Sequence, residues 1–166
     1  MEIRQLTDQD GEALWNFRML ALETDPWSFV ESPEQLRGIP EHEYAERLRS
    51  TESANFVFGA FDQQKLLGMV GFYQEIPAKR RHKGWIWGVF VAPEARGRGL
   101  GKLLMLRTIE KAKSLPELDM ILLTVSVGQP APRKLYESVG FRPIGIEPRG
   151  LKIGNQHIDE EHWSSS

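Results

Sequence analysis

Cysteine is absent from the 166 residues. Disulfides, thiolate nucleophiles and cysteine-ligated metal sites are therefore excluded. No apolar stretch approaches the ~18–20 residues that a membrane-spanning helix needs. Neither sign of charge dominates: 21 Lys and Arg face 23 Asp and Glu, a formal charge of −2. That balance removes a global pull toward nucleic acid or an anionic lipid surface. Met1-Glu2-Ile3-Arg4 is not followed by a signal-peptide core. Low complexity is confined to Ser164-Ser165-Ser166, and no repeat is present. His42, His82, His157 and His162 show no convincing ligand spacing, so no metal is expected. The expectation is a cytoplasmic protein without a nucleic-acid or membrane partner. What is present is ordinary globular composition, 40% hydrophobic and 27% charged, at a length close to the ~150-residue scale of one domain. Residues 1–166 read as a single domain.

Hydrophobic periodicity gives an alternating order of elements. Residues 2–7 alternate around Ile3 and Leu6 and read as a strand, and Asp8 or Asp10 can cap the helix that follows. Leu14, Phe17 and Ala21 carry that helix to about Glu23, before Asp25-Pro26. Residues 27–40 hold Pro33, Pro40 and the aromatics Trp27 and Phe29 and read as an irregular loop. A short helix over 41–49 turns Tyr44 and Leu48 inward. Residues 56–61 and 66–74 form a hairpin, residues 79–83 a basic turn, and residues 85–91 a strand. Residues 100–114 form a helix with a wide apolar surface of Leu100, Leu103, Leu104, Leu106, Ile109 and Ala112. A buried parallel strand over 120–127, a helix over 133–139 ended by Gly140, and strands over 141–146 and 156–163 complete the chain. The fold class is α/β: a mixed sheet of about six to seven strands flanked by helices.

The most informative segment is Val89-Phe90-Val91-Ala92-Pro93-Glu94-Ala95-Arg96-Gly97-Arg98-Gly99-Leu100-Gly101-Lys102. A strand passes through a glycine-rich turn into a helix. Glycines let the backbone approach a ligand closely. Unpaired N–H groups at a helix start favour an anion, and Arg96, Arg98 and Lys102 add positive charge. The segment reads as a phosphate or pyrophosphate site. It is not a Walker A loop, because Arg96 and Leu103 stand where that motif needs Gly and Ser or Thr. Its G-x-G-x-G spacing also differs from the dinucleotide fingerprint.

Arg96-Gly97-Arg98-Gly99-Leu100-Gly101 resembles the R/Q-x-x-G-x-G/A signature of the GCN5-related N-acetyltransferase (GNAT) family. Leu135-Tyr136-Glu137-Ser138-Val139-Gly140-Phe141 is similar to that family's L-Y-x-x-x-G-F helix end. The resemblance implies acetyl-CoA as co-substrate, an amine acceptor, and direct attack in a ternary complex. It implies that backbone amides of Arg98, Gly99, Gly101 and Lys102 hold the pyrophosphate, with Arg96, Gly97 and Leu100 shaping the turn. Val89, Phe90 and Val91 would pair with pantetheine, made room for by a splay and bulge in their strand. One of their amides would stabilise the thioester oxygen as it gains charge.

Tyr136 is the implied general acid for the departing thiolate. Gln129 stands where the family commonly has Asn and is the implied pantetheine contact. Trp85 occupies a position at which some members carry a Glu base, so Glu75 is the tentative base, with His82 and Glu31 as substitutes by type. Trp27, Phe29, Tyr73 and Trp85 are the candidate acceptor wall, joined by Trp87, with Phe29 and Trp87 equally suited to the core. A homodimer is implied by the frequency of dimers among relatives. A non-catalytic acyl-CoA sensor on the same fold is the competing reading.

Overall fold

The computed structural model describes residues 1–49 and 55–166. Strands β1 (Glu2–Gln5), β2 (Asn55–Asp62), β3 (Lys65–Gln74), β4 (Lys83–Val91), β5 (Met120–Ser126), β6 (Arg142–Ile153) and β7 (Gln156–Ser165) form one sheet. Their order is β1-β2-β3-β4-β5-β7-β6. Only β4 and β5 run parallel; every other neighbouring pair is antiparallel. The expected parallel setting of the fifth strand therefore holds on one side only, because β7 returns antiparallel along its other edge.

The helices are α1 (Gly11–Thr24), α2 (Pro33–Arg37), α3 (Glu41–Arg49), α4 (Leu100–Lys113) and α5 (Pro130–Ser138). A Cβ on Gly68 of β3 would meet Leu104 of α4, whereas one on Gly71 would meet the Trp87 ring. These glycines are three positions apart, an odd offset, so they face opposite sides of the sheet. Trp87 in turn contacts Arg18 of α1, which puts α1 and α4 on opposite faces. The core between the layers includes Phe56, Phe72, Phe141 and Trp163, all buried.

Several local expectations change for physical reasons. Asp10 stands at the N-cap position of α1 but makes no side-chain cap bond there; the capping box closes the 3-10 turn Asp8–Asp10 just before it, where the Thr7 side chain accepts from the Gln9 N–H and the Asp10 carboxylate accepts from the Thr7 N–H at 2.7 Å. The supposed loop of residues 27–40 contains α2, opened by the capping pair Ser32 and Gln35 with Pro33 in the first turn. Leu103 and Leu106 are exposed; Met105 and Thr108 face inward instead, so the buried stripe of α4 is narrower than its leucine count suggests. Helix α5 begins at Pro130, since two prolines fit its first turn, where no amide donor is needed. Strand β6 runs on to Ile153 through two irregularities in its pairing with β7.

Candidate active site

The sheet opens where β4 leaves β5. Their pairing covers only Lys83, Gly84 and Trp85 against Met120, Ile121 and Leu122. The cause lies in β4, as expected. Met69 and Gly71 of β3 face Phe90 and Trp87, so β4 holds one extra residue across this interval. Gly88 takes a φ of +65° inside it, a conformation that a glycine adopts freely. The bulge turns β4 away and leaves a cleft of about 780 Å³ between the strands. Val89, Phe90 and Val91 form one wall, and Leu123, Thr124, Val125 and Ser126 form the facing one.

At one end of this cleft stands the glycine turn. Gly97 and Gly99 have φ of +82° and +76°, and a Cβ on either would meet nothing within 4 Å. These positions require glycine for backbone reasons and face open space. Helix α4 has no side-chain cap, and its first bond runs from Leu103 N–H to the Gly99 carbonyl. Arg98 and Lys102 are exposed beside it. Uncapped amides, the positive helix end and open room fit a diphosphate. Arg96 is employed otherwise: its Nε donates to the Val91 carbonyl at 3.0 Å and its Nη2 pairs with Asp25 at 3.2 Å. It clamps the turn onto β4 and the end of α1. Gly101 lines the cleft, with Leu135 3.3 Å from where its Cβ would stand.

Tyr136 lines the same cleft from α5, with its ring edge-on to Phe141 and Trp163. Burial pushes its phenol pKa well above the usual range, so it stays protonated. Gln129 lines the cleft at the start of α5, and its Oε1 accepts from Ser28 at 3.2 Å.

A second cleft of about 390 Å³ includes Leu14, Arg18, Glu31, Tyr44, Arg47, Tyr73 and Trp87 in its lining. Arg18, Glu31 and Trp87 line both clefts and so mark their junction. Glu31 accepts from Arg18 Nη2 and from the Tyr44 hydroxyl, both at 3.5 Å. Burial, then the Glu31 charge, raise the Tyr44 phenol pKa.

The four acceptor-wall candidates separate. Phe29 lines the first cleft and Tyr73 the second. Trp27 and Trp85 line neither; Trp27 offers its carbonyl to Ser126, and Trp85 packs on His162. Glu75 also lies outside both linings and pairs with Arg80 at 3.5 Å. Two features escaped the sequence reading. The β4 bulge had only Gly88 as a local sign. Arg18 had a better one: it is a cation embedded among Leu14, Phe17, Ala21 and Leu22, the buried stripe of α1. Among the described residues no group of three or more potential ligands is placed to hold a metal ion, and no helix is long and apolar enough to cross a membrane.

A glycine turn with uncapped amides, parted strands and a buried phenol lie along one cleft, an arrangement that suits acyl transfer from a diphosphate-bearing donor. The chain belongs to the acetyltransferase (GNAT) family, whose profile matches residues 16–141, and its activity is acetyl-CoA-dependent acetyl transfer. It is 28% identical over 135 residues to the spermidine N(1)-acetyltransferase of Vibrio cholerae, covering 81% of this chain and 72% of that protein. The crystal structure of a GNAT-family acetyltransferase from Streptococcus pneumoniae matches with a TM-score of 0.89 at 25% identity, over 99% of this chain and 98% of the other. A phosphinothricin acetyltransferase from Sinorhizobium meliloti, solved in complex with acetyl-CoA, shares the fold, with a TM-score of 0.83 at 17% identity over 98% and 86% of the two chains.

Proposed function

We propose that this chain is a single-domain N-acetyltransferase that moves the acetyl group to a primary amine bound in the second cleft. The observation carrying this reading is that Arg96 and Gly101 of the glycine turn and the β4–β5 gap line one cleft, and that Arg18, Glu31 and Trp87 line both this cleft and the second. Bound acetyl-CoA supplies a thioester carbonyl open to attack by an uncharged amine. Amides of Arg98, Gly99, Gly101 and Lys102 hold the diphosphate at the positive end of α4. Val89, Phe90 and Val91 offer backbone groups to the arm, because β4 has no partner there on the β5 side. Gln129 contributes a further amide contact from the opposite wall.

The amine arrives as an ammonium and is inert until it loses a proton. Glu31, at the junction, is better placed than Glu75 to accept that proton directly or through water. The C–N bond forms as the C–S bond breaks. One further proton leaves the nitrogen, and Tyr136, held protonated by burial, donates one to the departing sulfur. Net, one proton is released per turnover. Alignment of both reactants supplies much of the acceleration. Phe29, Tyr73 and Trp87 form the apolar part of the acceptor wall. A cytoplasmic site and a homodimer belong to the same proposal.

Thiol release from acetyl-CoA, followed across a panel of amines, tests this reading. Turnover that depends on an added amine is expected. Tight acetyl-CoA binding with no turnover on any amine contradicts it and favours the sensor.

A further inference from the structure

Arg18 is a buried cation whose hydrogen bonding the fold leaves unfinished. Its side chain is only 7% exposed. Nη2 meets Glu31 at 3.5 Å, while Nε and Nη1 are buried with no hydrogen-bond partner among the described residues. Phe29 and Trp87 flank the guanidinium, each ring centroid 5.4 Å away. Ring faces attract the charge but accept no N–H in the plane of the fork. A guanidinium keeps its charge in a protein, so open donors in a buried place are costly. Fixed donors beside a ligand cleft answer that cost when an anion arrives. Nη1 also lies 3.3 Å from where a Cβ on Gly88 would stand, which puts this open donor at the β4 bulge, in a side chain that lines both clefts.

Resting on the transferase reading above, we propose that the acceptor is a zwitterion, an α-amino acid or a close relative. Its carboxylate takes the open donors of Arg18, its ammonium faces Glu31, and its side chain enters the 390 Å³ cleft. Arg18 and Glu31 stand 3.5 Å apart, a spacing that matches opposite charges on adjacent carbons. Leu14, Leu48 and Val57 give the cleft an apolar lining. A polycation would bring like charge against Arg18.

The test compares acceptors with and without the acid group. The twenty common amino acids, their amides and spermidine are assayed for thiol release from acetyl-CoA, and CoA binding is measured calorimetrically on the same protein. The best amino acid is expected to exceed its own amide by roughly 10- to 100-fold in kcat/KM, the scale of a charge-assisted contact. In Arg18→Met that preference falls to within about threefold, chiefly through KM for the acid. The wild-type comparison stands alone if the variant fails to fold, and Arg18→Lys, which keeps the charge but is shorter and lacks the planar fork, gives a partial loss. Equal or better turnover of the amide, failure of every amino acid as acceptor, or an Arg18→Met that lowers kcat equally for acid and amide at unchanged KM overturns the proposal. The last result would place Arg18 on the thioester oxygen. Absence of CoA binding defeats the transferase reading itself, whereas CoA binding with spermidine turnover defeats only the zwitterion.

Discussion

Replacing Gly99 with valine separates backbone strain from ligand contact. The native φ of +76° lies where a β-branched residue is strained, at a cost of about 1–2 kcal/mol. In a chain this long, each kcal/mol moves Tm by roughly 2–4 °C. The fold should survive, since domains are stable by about 5–15 kcal/mol. Ligand binding should suffer far more. The valine side chain projects into open space at the uncapped start of α4, where the diphosphate is assigned. Losing two charge-assisted amide contacts, at about 1.5–3 kcal/mol each, weakens binding roughly 10²- to 10⁴-fold. Gly154→Val supplies the control. Gly154 has a φ of +60° with nothing within 4 Å of its Cβ direction, and it lies in the β6–β7 turn, outside both clefts. Calorimetry with CoA and thermal melts are run on both variants. Similar losses of Tm with loss of CoA binding in Gly99→Val alone are expected. A Gly99→Val protein that folds and binds CoA like the wild type refutes the cradle.

Three further outcomes follow from the same geometry. Tyr136→Phe should lower kcat about 10²-fold, the lower range for a general acid, with CoA affinity almost unchanged; equal kcat removes Tyr136 from proton donation. All three tyrosines, Tyr44, Tyr73 and Tyr136, have phenol pKa values raised chiefly by burial. Below pH ~10 both folded and unfolded chains hold these protons; above it the unfolded chain loses them first, so stability falls as pH climbs. Denaturant midpoints measured between pH 8 and 11 should be flat and then drop, and Tyr136→Phe should soften the drop. Glu31→Gln should cut kcat/KM at least tenfold at pH 7 while Glu75→Gln changes it less than threefold; the reverse order returns the base to Glu75.

Much of the fold was legible because its signals were local. Helix α3 follows from the spacing of Tyr44 and Leu48, and the anion turn follows from three glycines after an apolar strand. The bulge that opens the cleft was anticipated through family resemblance, and its position at Gly88 emerges only from the register against β3. Other features depend on partners distant in sequence. Leu103 and Leu106 look like core residues until the sheet fixes which side of α4 it covers. Trp27 and Trp85 look like a ligand wall, but one lends its carbonyl to Ser126 and the other packs edge-on against His162. Glu31 lies among loop carboxylates in the sequence, and only the approach of α1 and α3 sets it beside Arg18 and Tyr44. Arg18 was the detectable miss, since a cation on a buried helical stripe asks for a partner.

A crystal structure of the CoA complex measures directly where the diphosphate and the pantetheine arm lie. It should show diphosphate oxygens about 2.7–3.2 Å from amides of the 98–102 turn, with the arm between Val89–Val91 and the facing residues of β5. A diphosphate seated on the basic 79–83 turn, or an empty β4–β5 gap with CoA bound elsewhere, would contradict it.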